Sequence, residues 1–498
     1  MNLIDKIISF FSPRAACGRI YYREMMRNYD AGRLDRYGDW IPPRNASPEE
    51  TDAPYRSLIR ARARDLERNN DVTQGILGTL KRNVVGTGII PQPLVPGMEE
   101  KIKALWRDWI KKENCDITGC STFYELQKMF VQRKHVDGEI FCLFSVRGKG
   151  RVPLQLQMIE PDLLAEEFIK FESGVNMVHG GVEVDHYMRP VAYHFRLDPL
   201  KWEITRVPAE NVLHSFDKTR PQQVRGISGL SGSMERVRDI GEYIDSELKA
   251  ARVAAAHTGV VKTAQGANKI GRLPGKKGEA AIELIQPGII NYLRPEEDVA
   301  FPPPGRPNVA AGPFVETILR FVGLSSGLSY EQTARDLSKV NYSSARQGHL
   351  EDKRTYEDWQ RDIINNFCAP VYEVFVDAAV ISGALAIPDY WRKREEYTRV
   401  RWVTPGWSWI DPQKEAVASA SLLDSGLTTR EELCGGRGKN WQDVMIQLKR
   451  EQAFAESIGL VIGQGEGPPY QEEEEEEEAE ENGKAKEPVT DPYADDEG

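Results

Sequence analysis

The spacing of apolar residues switches between helical and strand periods along this chain, and the switches outline its elements. From Tyr55, the residues Leu58, Ile59, Ala61, Leu66, Val72, Ile76, Leu77 and Leu80 recur at helical spacing, with Arg62, Arg64 and Arg68 on the opposite face. VVGTGIIPQP then reads as a strand with glycine-permitted turns. Two helices, Glu99–Lys112 and Phe123–His135, precede a strand over Glu139–Val146. Residues 151–217 are strand-rich, and Val182, Val184, then Val191, Tyr193 and Phe195 carry the two-residue period of half-buried strands. Ser228–Ala256 gives the longest helical signal. Met234, Val237, Gly241, Ile244, Leu248, Ala251 and Ala255 form a narrow seam on a surface otherwise dense in charge. Such a helix spans about 43 Å at 1.5 Å per residue.

Residues 257–307 change character, from a strand at Gly259–Thr263 through a Gly/Lys-rich tract to two apolar runs and the stop PPPGRP. Phe314, Ile318, Leu319 and Val322 predict a short helix over Pro313–Val322, which Gly323, Ser325, Ser326 and Gly327 end. A polar loop with Arg335, Lys339, Asn341, Tyr342 and Arg346 follows. It reads either as a surface loop between core helices or as a mobile loop touching a polyanion without chemistry. Ser343–Ile381 is a long helix that Pro370 kinks or breaks. A strand and turn over 398–412 precede helices at Pro412–Gly426 and Thr429–Gly459, with Thr428 or Thr429 as N-cap.

Length and charge narrow the function classes. At 498 residues with 40% apolar content, the chain exceeds one domain and fills a proper core. No run of about 18 apolar residues occurs, so no membrane span is expected. The N-terminal MNLIDKIISFFSPR carries Asp5 within its apolar stretch and no small-residue cleavage site, so it reads as a short amphipathic helix or a frayed end. The net charge of −11 is uneven: residues 465–498 hold fifteen acidic residues and two lysines, which leaves the rest of the chain at about +2. The run Glu472–Glu478 reads as a solvated acidic tail, or as a polyanion mimic contacting a basic partner. A near-neutral body does not grip DNA as a basic module does.

Catalytic chemistry finds no constellation. The cysteines at 17, 115, 120, 142, 368 and 434 contain no CxxC pair and read as buried thiols. His179, His186 and His194 match no metal spacing. Asp137, Glu139, Glu160 and Asp162 could be drawn as a two-metal nuclease set, but no partner motif accompanies them and structural carboxylates are expected. Gly86 and Gly88 lack the third glycine of a dinucleotide loop, and GRLPGKKGE is not a P-loop. No enzyme, metal or cofactor is expected.

Several stretches together resemble the portal proteins of tailed bacteriophages, in their lambda-like branch. They are RARARDLERNN at 60–70 with NVVGTGI at 83–89, GVEVDHYMRPVAYHF at 181–195, VRGISGLSGSMERVRDI at 224–240, GLSYEQTARDLSKVNYSSAR at 327–346, and WIDPQKEA at 409–416 with LLDSGLTTREE at 422–432. The family's Pro-Gly-Glu before the second stem helix is Pro295-Glu296-Glu297 in this chain. The resemblance implies an α+β portal fold with a wing, helical stem, small clip and helical C-terminal crown, assembled as a ring usually of twelve subunits. Its parts would be an N-terminal arm (1–54), wing (55–227), stem helix (228–256), clip (257–307), second stem helix (308–323), tunnel loop (324–342), wing helix and strand (343–408), crown region (409–464) and acidic tail (465–498).

The resemblance also implies site residues. Tyr330, Arg335, Lys339, Asn341 and Tyr342 would face double-stranded DNA from the tunnel loop. Glu235, Arg238, Glu242, Asp245 and Lys249 would line the stem, and Lys262, Lys269, Arg272, Lys276 and Lys277 would dock partners at the clip. Those partners would be the terminase large subunit, capsid or scaffold protein, and head-tail connector proteins. The location would be the virion's capsid vertex, with host cytoplasm during assembly. The competing readings are a nuclease or a non-portal nucleic-acid-binding component of a phage head. The first predicts converging catalytic groups and the second a basic body.

Overall fold

The computed structural model describes residues 46–148, 150–167, 176–198, 201, 203–255, 260–262, 291–293, 310–339, 342–407 and 412–460. The N-terminal stretch through 45, most of the expected clip, Asn341 and the acidic tail lie outside the described residues.

At the centre lies a strand buried on both faces. β2 (Glu139–Val146) pairs antiparallel with β3 (Leu154–Ile159) on one side and β8 (Val212–Phe216) on the other. Its alternation sorts side chains into two cores. Ile140 and Cys142 join a large helical core, whereas Phe141 and Leu143 join a smaller one. The smaller core is closed by a four-stranded antiparallel meander of β4 (Met177–His179), β5 (Val182–Val184), β6 (Pro190–Phe195) and β7 (Thr205–Pro208), which contributes Val182, Val184, Tyr193 and Phe195. The larger core gathers α1 (Pro48–Asn69), α2 (Asp71–Leu80), α3 (Glu99–Trp109), α5 (Phe123–Asp137), and α9 (Tyr342–Ile363) with α10 (Ala369–Ile381); a short α4 (Lys112–Cys115) packs beside β3. Trp106 meets Phe375 edge-on at 4.9 Å between ring centroids, and Trp109 donates to the Leu154 carbonyl at 2.7 Å. The strands β1 (Ile90–Pro93) and β11 (Val400–Val403) form a separate antiparallel pair. Short strands β9 (Val260–Lys262) and β10 (Asn291–Leu293) pair in parallel.

Several boundaries differ from the sequence expectation, each for a local reason. The first helix begins at Pro48, inside the expected N-terminal arm, because Ser47 and Glu50 form a capping box. Its periodic pattern is two helices, since Asn70 ends α1 and its side chain caps α2 through the Thr73 amide. Pro370 does not break the long helix. A π-turn over Ile364–Cys368 precedes it and accommodates the missing N–H, so α9 and α10 run on as one body. The stretch Arg346–Ile381 is long and apolar enough, by composition alone, to cross a membrane. It is the core helix of this protein, with Phe367, Val371, Tyr372, Phe375 and Val376 buried among other elements. The expected helix Thr429–Gly459 is two: α13 (Arg430–Gly436), capped by Thr429, and α14 (Trp441–Ser457), capped by Asn440. The break at Gly438 is needed because the chain folds closely onto Gly406, where a Cβ would lie 2.3 Å from Arg437 backbone. The preceding α12 (Pro412–Asp424) and the short α11 (Arg394–Tyr397) complete the helices.

Candidate functional site

Two helices leave this body and return. α6 (Met234–Ala255) is shorter than the expected Ser228–Ala256, because residues 228–233 form turns pinned to the end of α5. The Gly229 amide donates to the His135 carbonyl at 2.9 Å, and a Cβ on Gly229 would meet the His135 ring. Among the residues of α6 whose burial is described, Met234, Val237 and Ile240 at its base are the buried ones. The expected seam partners Ile244 and Leu248 are each 47% exposed. Beside α6 runs α7 (Ala311–Ser326), joined by a ring contact between Tyr243 and Phe314 at 5.2 Å and by Arg236 over the Phe321 ring at 5.7 Å.

The glycine-serine stretch does not end α7 at Val322. The helix continues to Ser326 and closes at Gly327, whose φ is 67°. The Leu328 amide donates to the Gly323 carbonyl at 2.9 Å, which satisfies a terminal carbonyl as a Schellman cap does. Gly323 is a packing residue: a Cβ there would lie 2.7 Å from the Leu328 carbonyl oxygen.

The expected tunnel loop is therefore partly helical. Ser329 caps α8 (Tyr330–Ala334), and Asp352 of α9 accepts from both the Ser329 amide and hydroxyl at 2.7 Å. Burial raises the Asp352 carboxyl above its ordinary value against those two hydrogen bonds. Replacing Asp352 with alanine strands the half-buried Ser329 amide. We expect a loss of about 1–3 kcal/mol, with faster protease cleavage between Asp336 and Asn341. Equal cleavage rates for wild type and variant would contradict this anchor.

The expected site residues fall into three groups. Glu235, Arg238, Glu242, Asp245 and Lys249 share one exposed stripe of α6, with Arg238 and Glu242 paired at 3.0 Å. In the loop, Arg335 ends α8 in the left-handed region (φ 54°) and is exposed, with no ion-pair partner among the described residues. Tyr330 lies under the Arg320 guanidinium at 4.9 Å, its hydroxyl 3.4 Å from Asp336; burial is the first cause that raises its pKa. Lys339 is exposed and pairs with Glu316 of α7. Tyr342 opens α9. Lys262 lies on β9, whereas Lys269, Arg272, Lys276, Lys277 and Asn341 lie outside the described residues.

The carboxylates that a nuclease reading would use are engaged by arginines across the fold. Arg64 binds Asp137 at 2.7 Å and Asp162 at 2.7 Å, with Glu160 at 3.6 Å, so its partners are not Asp65 or Glu67 on its own helix. Glu139 is fully buried against Arg225 and His214, and also accepts from the Gly226 amide. Despite its burial, Arg225 and His214 hold the Glu139 carboxyl well below the ordinary range. Among the described residues no group of three or more His, Cys, Asp or Glu is placed to hold a metal ion. Sequence spacing missed the Arg225–Glu139 pair, which spans 86 residues and anchors the approach to α6.

A model of the lambda family of phage portal proteins matches residues 33–360. The chain belongs to that family. Among similar proteins, the probable portal protein of Halomonas phage phiHAP-1 is 27% identical over 426 residues, covering 81% of each chain. Portal protein B of Escherichia phage lambda is 21% identical over 472 residues, covering 84% of this chain and 88% of its own. Among solved structures, one titled "Neck of native GTA particle computed with C12 symmetry" contains a chain with a TM-score of 0.40 and 13% identity, covering 76% of this chain and 97% of that chain. As a phage portal protein, the chain is a structural protein of the virion's capsid vertex, and membership indicates no enzymatic activity.

Proposed function

We propose that copies of this portal protein close into a ring, with α6 and α7 forming its stem, and that double-stranded DNA is packaged and ejected through the central channel. The observation that carries this reading is the exposed stripe of α6. It sets Glu235, Glu242 and Asp245 beside Arg238 and Lys249 along one exposed strip of the helix. Each phosphate neutralised by a cation releases counterions and strengthens binding, so a channel lined with cations would hold DNA in place. Mixed charge with a slight acidic excess lets the duplex slide, and nothing on the stripe is arranged to read bases.

In the same reading, α8 and the residues after it form the channel's narrowest part, with Arg335 as the cation available to DNA and Lys339 held back by Glu316. Residues 257–307 project as the clip toward the terminase motor and, later, the head-tail connector proteins. The surrounding sheet and helices form the wing, in contact with capsid or scaffold protein. Assembly takes place in the host cytoplasm. The stripe is tested by changing Glu235, Glu242 and Asp245 together to lysine and following packaging with the cognate motor. Translocation should slow severalfold and stall, with added salt relieving part of the defect. Unchanged translocation would overturn the assignment.

A further inference from the structure

Three cations of the wing, Lys81, Arg82 and Lys128, form no direct ion pair among the described residues. A concavity of about 740 Å³ opens beside α2 and α5, lined by Lys81, Arg82, Lys128, Arg133, Glu125 and Glu160 among others. Both carboxylates are engaged: Glu125 accepts from the Thr122 amide at 2.7 Å in the α5 capping box, and Glu160 lies 3.6 Å from Arg64. Arg133 pairs with Glu67 and lies 3.5 Å from Asp137. By contrast, among the described residues Lys81 donates to the Gln132 amide oxygen at 2.9 Å and Arg82 to the Thr79 hydroxyl at 3.2 Å, with no carboxylate in direct contact. Lys128 is half-buried with no ion-pair partner among the described residues. Burial first, and then Arg133, Lys128 and Arg82, lower the Lys81 pKa against the pull of Glu67. Like charges gathered this closely are unfavourable until an anion joins them.

We propose that this concavity docks the acidic segment Glu472–Glu478 of this same chain. Charge complementarity favours that occupant. Seven consecutive glutamates sit within a stretch of net charge −13, and the rest of the chain is about +2. Residues 458–471 separate α14 from the segment, a length that reaches at most about 50 Å when extended. A tethered partner acts at an effective concentration in the millimolar range, so individually weak ion pairs suffice. The half-buried Lys81 and Lys128 are within reach of an extended acidic chain that enters the concavity. Occupied in this way, the wing would not capture nucleic acid, and DNA contact would be confined to the channel.

Zero-length carbodiimide coupling of the full chain, read by mass spectrometry, tests the docking without reference to ring formation or packaging. Links from Glu472–Glu478 to Lys81 or Lys128 are expected, falling severalfold when salt is raised to about 0.5 M. Changing Glu472–Glu478 to glutamine should raise affinity for a short DNA duplex about tenfold at low salt. Adding Lys81→Ala, Arg82→Ala and Lys128→Ala should cancel that gain. Links from the segment to other lysines with none at Lys81 or Lys128 would overturn the proposal. So would a glutamine variant whose duplex affinity is unchanged.

Discussion

Arg225→Met should destabilise the folded chain by about 3–5 kcal/mol, the usual cost of leaving a buried charge without its partner. Glu139 and Arg225 are both fully buried, and Arg225 also donates to Glu166 at 3.0 Å and to the Gly180 carbonyl at 2.5 Å. The pH dependence distinguishes this cause from simple loss of packing. In the wild type the Glu139 carboxyl is held well below its unfolded value. Its contribution is therefore fully present above the ordinary carboxylate range and is lost only as pH falls through the depressed folded value. In the variant, burial without Arg225 raises the carboxyl above its unfolded value. The folded state then binds more protons than the unfolded state, and variant stability falls as pH rises between those two values. The gap between the proteins should narrow as pH is lowered from 7 toward 4.5. Glu139→Leu combined with Arg225→Met should recover most of the loss. Denaturant titrations across pH measure both effects, and a gap independent of pH would contradict the buried-charge account.

Ile244→Glu combined with Leu248→Glu should abolish assembly while leaving the monomer's stability within about 0.5 kcal/mol. Both side chains are half exposed on the isolated chain. In a ring they would pack against a neighbouring copy, and a carboxylate buried there without a partner would disfavour the contact by several kcal/mol. Size-exclusion chromatography with light scattering should show a monomer whose unfolding midpoint matches that of wild type. Intact rings from the double variant would move the subunit contact elsewhere.

Periodic features of this chain were legible in the sequence, whereas features that depend on distant contacts were not. β2 spans Glu139–Val146, as its apolar run predicts, and Met234 and Val237 of the three-and-four-residue seam are buried at the base of α6. The capping box at Ser47 and Glu50 starts α1 at Pro48, ahead of the helical apolar period that opens at Tyr55. Gly323 looked like a helix breaker, yet it is a close-packing residue inside α7, a distinction that needs the position of Leu328. The pairing of Lys339 with Glu316, and of Arg64 with Asp137, joins residues that no local pattern connects. Pro370 signals a broken helix unless the preceding π-turn is known.

The claim on which the functional reading turns is that this portal protein forms a closed ring around a channel. Electron microscopy of the purified full-length chain, with native mass of the same sample, tests it most directly. The account predicts closed rings of one subunit type with a central hole wide enough for a DNA duplex, roughly 20 Å or more. A protein that remains monomeric at high concentration, or that forms only open or irregular assemblies, would contradict it.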